Sequence, residues 1–592
     1  MFQTRRLQVF AVLLVIAGCT DNSNNTQAVV SNSQPILKVN KPNHALGAET
    51  VKSEAEESIE PEKAAVAGKP TAPTALDYIQ ADQVYNPESV IPPQCYTKTD
   101  SVNNPCFVCH QSYNGDTQRT NMMNDGDLQG AYEFSDLGTK NHWKNLFVDR
   151  QDEIAKVSDE FIRSYVDQEN YSGLIKWMNS DAWSGPVPVI EGLENGASAF
   201  DENGLAKDGS RWVAFNYKPL PSTFWPTNGS TDDVMIRLPA VFSQYKGQFS
   251  ADVYFANLAM VEMTIKGLSS ISSVAIDEVA IGKDLDGDGK LDSNVSTVEQ
   301  QKNYVGDASN IDVVHMLYPQ GTEFLHTVRY LGLDAAGNVG LSKRFKEYRY
   351  MQKHTFYDNP RLVGAYYQEE KEKHFENLPT IVHFGDRGTD NGFGWMLLGF
   401  IEDENGELRP QHAQEQAFCV GCHKTIGTTI DQTFSFARKV EGVDGWSYID
   451  LTKIQDVPNI GETQGEYHAY MERVGGGDEF RQNEEMLSRW FDESGIVKKD
   501  KVDSVDSIYT LIAPSAERAS ALNKAYYLIV KEQSYLFGRD PVLKPATNVI
   551  RQIDTEVAPL GESRRFEWDI RLDWSHDPRK VSQMAGEAKI VK

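Results

Sequence analysis

The pentapeptides Cys106-Phe107-Val108-Cys109-His110 and Cys419-Val420-Gly421-Cys422-His423 place two thiols three positions apart, with an imidazole directly behind the second. Cysteines at this spacing can each form a thioether to one of the two vinyl groups of a single haem. The adjacent histidine then reaches the iron from the proximal side. Four of the six cysteines in the chain are used in this way. Disulfides or a split Cys/His zinc site are the competing chemistry. A zinc site would require the two motifs side by side, and neither alternative explains the shared histidine offset. The spacing predicts two covalently bound haems, attached at Cys106, Cys109, Cys419 and Cys422, with His110 and His423 as proximal ligands.

The sixth iron ligand separates an electron carrier from a catalyst. A second histidine or a methionine closes the iron for electron transfer, whereas an open position admits small molecules. His142 is the expected distal ligand of the first haem, with Met122 and Met123 nearer the motif. His383 is the expected distal ligand of the second, chosen from His326, His354, His374, His383, His412 and Met396. His412 precedes Cys419 too closely to reach the opposite haem face. Cys95 is left over; it can be buried and inert, pair with another chain, or ligate a haem as thiolate.

A second constellation is Asp284-Leu285-Asp286-Gly287-Asp288-Gly289-Lys290-Leu291-Asp292. Aspartates at positions one, three and five, glycine at six, the Lys290 carbonyl at seven and Asp292 at nine follow most of an EF-hand calcium loop. Val295 stands at position twelve, where a bidentate glutamate is expected, and no clear helix leads in. The pattern predicts one structural calcium held by Asp284, Asp286, Asp288, Lys290 and Asp292, of the stand-alone extracellular kind. A polar turn without metal is the alternative.

The elements that must position these groups begin after an export signal. Arg5 and Arg6 precede an apolar run, Val9 to Ile16, too short to span a bilayer. Ile16-Ala17-Gly18-Cys19 resembles a bacterial lipobox, so residues 1–18 are expected to be removed and Cys19 lipidated. Thr20 stands where an inner-membrane retention signal has Asp, which points to the outer membrane, facing the periplasm or the cell surface. Residues 19–76 hold no aromatic side chain and read as a disordered tether. The formal charge of −27 argues against nucleic acid and favours a basic redox partner.

Three regions follow, and the expected fold class is α+β: helical haem-binding regions at both ends of the body flanking a mixed, strand-rich middle. Residues 77–185 carry the first motif and a helix predicted through Ile154, Val157, Phe161 and Tyr165. Residues 186–350 carry the strand-like runs Arg211–Tyr217 and Asp233–Leu238 and the calcium loop. A hairpin is predicted to join Glu323–Leu333 to Leu341–Met351 through Asp334-Ala335-Ala336-Gly337-Asn338. Residues 351–592 carry the second motif and a helix capped by Ser515 and ending at Gly538.

The pentapeptides resemble the haem-attachment motif of c-type cytochromes, and with the lipobox the chain is similar to a lipid-anchored dihaem c-type cytochrome of bacteria. That resemblance implies an exported electron relay at the outer membrane or in the periplasm, serving redox partner proteins. The alternative is a dihaem oxidoreductase, peroxidase-like or sulfur-compound oxidising, with one catalytic and one electron-transfer haem. In dihaem peroxidases the motifs lie closer together and the chain is shorter, which sets this sequence apart from them. No phosphate-binding loop, serine elbow or zinc-protease helix supports a non-redox enzyme.

Overall fold

The predicted hairpin is the centre of the sheet. The computed structural model describes residues 91–97, 138–221, 225–374, 381–424, 429–475, 483–554 and 569–577. In chain order the strands are β1 (Val213–Ala214), β2 (Thr231–Arg237), the small hairpin β3 (Gln244–Tyr245) and β4 (Gln248–Phe249), and the ribbon β5 (Ser270–Ile276) and β6 (Val295–Glu299). Then come β7 (Glu323–Leu333), β8 (Val339–Lys353), β9 (Val382–His383), β10 (Thr389–Asp390), β11 (Trp395–Glu402) and β12 (Leu408–Pro410). The main sheet is antiparallel in the order β1-β2-β7-β8-β11-β10-β9, with β12 also paired to β11. Asp334 closes the central turn by accepting from the backbone N–H groups of Ala336 and Asn338, at 2.8 Å each. A short polar side chain that bonds its own downstream backbone is what such a turn needs.

The fold is α+β. The boundary expected at residue 350 falls inside β8, because one sheet draws strands from both sides of it. The strand-rich middle also holds a long helix, Ala251–Lys266, started by Ser250, whose side chain accepts from Val253 N–H, and stopped by Gly267 at φ 71°. Nearly every residue of this helix is buried in the main core, so it lacks the polar stripe that marks a surface helix. Its acid Glu262 is satisfied by two buried ammonium groups, Lys266 and Lys439, at 2.7 Å each.

Three local readings change. The helix expected through Ile154–Tyr165 is two helices, Gln151–Lys156 and Asp159–Asp167, because Ser158 caps the second by accepting from Phe161 N–H. The buried stripe is consequently Ile162 and Val166, while Phe161 is 43 % exposed. The run Arg211–Tyr217 supplies only the two residues of β1, since Arg211 sits at φ 66° and breaks the extended backbone. The last long helix does start at the Ser515 cap but ends at Glu532, where Gln533 turns left-handed at φ 51°. Among the described residues no helix is long and apolar enough to cross a membrane.

Candidate functional site

The second pentapeptide lies at the end of the helix Ala413–Cys422. His412 is its N-cap: the ring accepts from Glu415 N–H, and the Glu415 carboxylate accepts from His412 N–H in return. This reciprocal box starts the helix and commits His412 to structure. Arg409 anchors the same Glu415 through both guanidinium nitrogens, at 2.8 and 2.9 Å. Cys419 and Cys422 are three residues apart, so they share one face of the last turn. Burial raises the pKa of both thiols, that of Cys422 to about 11.

His423 caps the helix and is fixed from several sides. Its N–H donates to Cys419 O at 3.0 Å, its own carbonyl accepts from Asn391 Nδ2 at 2.6 Å, and Phe434 meets the ring edge-on. Nδ1 lies 2.8 Å from the Gln432 carbonyl. A carbonyl can only accept, so Nδ1 carries the hydrogen and Nε2 carries the lone pair, the tautomer a metal-binding imidazole requires. Burial pushes the pKa of His423 down to about 4, so the ring is neutral at physiological pH.

Across from this helix stands one face of the sheet. Register places Val234, His326, Arg349 and Gly399 in one row over β2, β7, β8 and β11. Two residues along lies the row Asp232, Val328, Glu347 and Ile401, on the same face because strand side chains alternate. His326 Nε2 is 3.3 Å from Asp232 Oδ2, and Asp232 also accepts from the Tyr217 hydroxyl. The single oxygen Glu347 Oε2 receives Arg349 at 2.9 Å, Arg539 at 3.1 Å and Gln411 at 3.0 Å. Burial works against the Glu347 carboxylate, but the two guanidinium groups and the amide outweigh it and bring its pKa to about 2. Gly399 makes room for this cluster: a Cβ there would stand 2.5 Å from the Gln411 side chain.

Helix and sheet enclose a cavity of about 230 Å³ that Cys419, Cys422, His423, His326 and Arg349 all line. The 3-10 turn Pro93–Tyr96 closes another part of it and brings in half-buried Cys95. Two thiols one turn apart, a neutral imidazole held by its other nitrogen and an apolar surround form a donor set that fits a covalently attached haem.

His383 is not part of this wall. It lies on β9, the exposed edge of the sheet, with Nδ1 3.1 Å from Thr389 Oγ1. Four strand steps separate β9 from β7, roughly 19 Å at about 4.8 Å per strand. Among the described residues the sheet histidine that lines the cavity is His326, and strand alternation could have found it: Phe324, His326 and Val328 share the inward face of β7. His354 and Met396 do not line the cavity either. Cys19, Cys106, Cys109 and His110 lie outside the described residues. His142 is buried beside Trp143, ahead of the 3-10 turn Lys144–Phe147, and does not line this cavity.

In the Asp-rich loop, Asp284 and Asp286 come together with Glu278, their ligand-capable oxygens lying within 4.8 Å of one another. Glu278 is fully buried and accepts from Leu285 N–H at 2.5 Å and Asp292 N–H at 3.0 Å. Asp288 instead pairs with the Lys290 ammonium at 3.2 Å. Sequence reading missed Glu278 because it lies upstream of the loop, on the short helix Glu278–Ile281.

An antiparallel α+β body with a Cys-x-x-Cys-His helix at its cavity is the class these features define. A family model described as "-like lipoprotein" matches residues 79–510. A protein of Aquifex aeolicus (strain VF5), named "Uncharacterized lipoprotein", is 33% identical over 534 residues, covering 78% of this chain and 87% of the relative. The chain belongs to this lipoprotein family. No solved structure matches it.

Proposed function

We propose that the chain is an exported, lipid-anchored c-type cytochrome that carries two haems and relays electrons at the bacterial outer membrane, in the periplasm or at the cell surface. The observation that carries this reading is the shared cavity: both thiols of the second motif and the fixed, neutral His423 line it together. A bound haem supplies reversible one-electron exchange. Cys419 and Cys422 hold it, His423 ligates the iron, and His326 replaces His383 as the distal candidate. Asp232 Oδ2, 3.3 Å from His326 Nε2, stands where it can orient that ring. Cys106, Cys109 and His110 carry the first haem on motif grounds, with His142 as its distal candidate. Lipid at Cys19 tethers the body, and the net charge of −27 favours a basic redox partner.

One observation favours the second reading, a dihaem oxidoreductase. Arg349 stands beside His326 on the cavity wall, and a fixed cation next to an imidazole can bind and orient a small polar molecule. The ferric absorption spectrum separates the two. The relay predicts two low-spin haems that cyanide does not shift, and His326→Ala should turn one of them high-spin and cyanide-binding. A high-spin haem in the unaltered protein, with peroxide turnover in the half-reduced form, would make it an enzyme.

Calcium is proposed for the Asp-rich loop, with Glu278 supplying the carboxylate that Val295 does not. A ligand that binds only the folded state stabilises it by about 2.7 kcal/mol at a hundredfold excess over its Kd. Chelation is therefore expected to lower the Tm, and Asp286→Ala should erase the difference between calcium and chelator. A melting curve indifferent to chelator would identify an empty turn.

A further inference from the structure

The segment behind His423 breaks a local rule of sequence. Ile430 and Thr433 exchange backbone hydrogen bonds, Ile430 N–H to Thr433 O at 3.0 Å and Thr433 N–H to Ile430 O at 3.1 Å. Between them Asp431 and Gln432 lie at φ 49° and 60°. A two-residue hairpin with both central residues left-handed is the turn for which Asn-Gly or Asp-Gly is the usual choice. Here the second place is a glutamine, whose Cβ makes that conformation unfavourable. A strained conformation persists only where its surroundings over-determine it.

The surroundings do so from every side. The buried ammonium of Lys353 pairs with Asp431 Oδ2, and Tyr318 N–H donates to the same oxygen at 2.9 Å. The Tyr318 hydroxyl is 3.0 Å from Thr433 Oγ1, which donates to the Ile430 carbonyl at 2.9 Å. The Gln432 amide donates to the Tyr366 hydroxyl. Asp431, Gln432 and Lys353 are each at most 1 % exposed. At the cavity, the left-handed turn aims the Gln432 carbonyl at His423 Nδ1.

We propose that the Lys353–Asp431 pair is a positioning device that holds the Gln432 carbonyl on His423 and thereby sets the reduction potential of the haem that His423 ligates. The inference rests on the reading of His423 as an iron ligand. A carbonyl accepting from Nδ1–H makes the imidazole a stronger donor and stabilises the ferric state. Loosening the turn should weaken that bond and raise the midpoint potential.

Spectroelectrochemistry of the haem-loaded full chain tests this. Asp431→Asn keeps the shape and the tolerance for positive φ while removing the charge. Lys353→Met with Asp431→Asn removes both charges, so that neither stays buried alone. Each is expected to raise one of two midpoint potentials, on the order of tenfold in the ferric-to-ferrous ratio, with a changed ferric electron paramagnetic resonance signal for that haem. The responsive midpoint should be the one missing from Cys419→Ala, Cys422→Ala. Haem-loaded variants with both potentials unmoved would overturn the positioning role alone. Preparations without covalent haem would overturn it together with the reading beneath it.

Discussion

Replacing Cys419 and Cys422 together by alanine is expected to remove one of two covalently bound haems and to leave the other in place. The effect is all-or-none, because a thioether either forms or does not, and His423 alone cannot retain a macrocycle through denaturation. Pyridine haemochrome quantitation and haem staining of denaturing gels read it directly, in protein matured by a host with a cytochrome c assembly system. The unaltered chain should give two haems and the double variant one. The variant body should remain folded, since the helix bearing these cysteines is held by its His412–Glu415 box and by Arg409. A stoichiometry near one in the unaltered protein, or haem that dissociates on denaturation, would defeat covalent attachment at both motifs.

Removing the Cys19 thiol should be equally decisive. Labelled palmitate is expected in the unaltered protein and absent from Cys19→Ala, which should move from the membrane fraction to the soluble one. The contrast is large because stable anchoring depends on the acyl chains, and among the described residues no helix could substitute by crossing the bilayer. Family membership among lipoproteins supports the expectation. Equal partition of the two forms would mean that Ile16-Ala17-Gly18-Cys19 is part of an ordinary export signal.

Local chemistry was legible from sequence where a few neighbouring residues decide it. The β7–β8 hairpin follows from two strand-like runs around an Asp that closes its own turn, and the Ser515 cap from a hydroxyl behind a proline. The Cys-x-x-Cys-His spacing put both thiols on one face of a helical turn, since i and i+3 are neighbours there. Local signals competing at short range misled it: Ser158 split a helix whose apolar spacing read as continuous, and Gln533 ended another before its glycine.

What faces the second motif was decided by tertiary structure alone. His326 and His383 are equivalent in sequence, each a histidine upstream of Cys419. Strand order sets them apart, because β7 is central and β9 is the edge. Glu278 joins Asp284 and Asp286 only when a short helix folds back over the loop. Gln432 reads as an ordinary polar residue, yet its carbonyl fixes the His423 tautomer through a turn that the distant Lys353 holds. Spacing along the chain determines which groups can share an element. Which elements share a cavity depends on pairings between residues far apart, and no local preference encodes those.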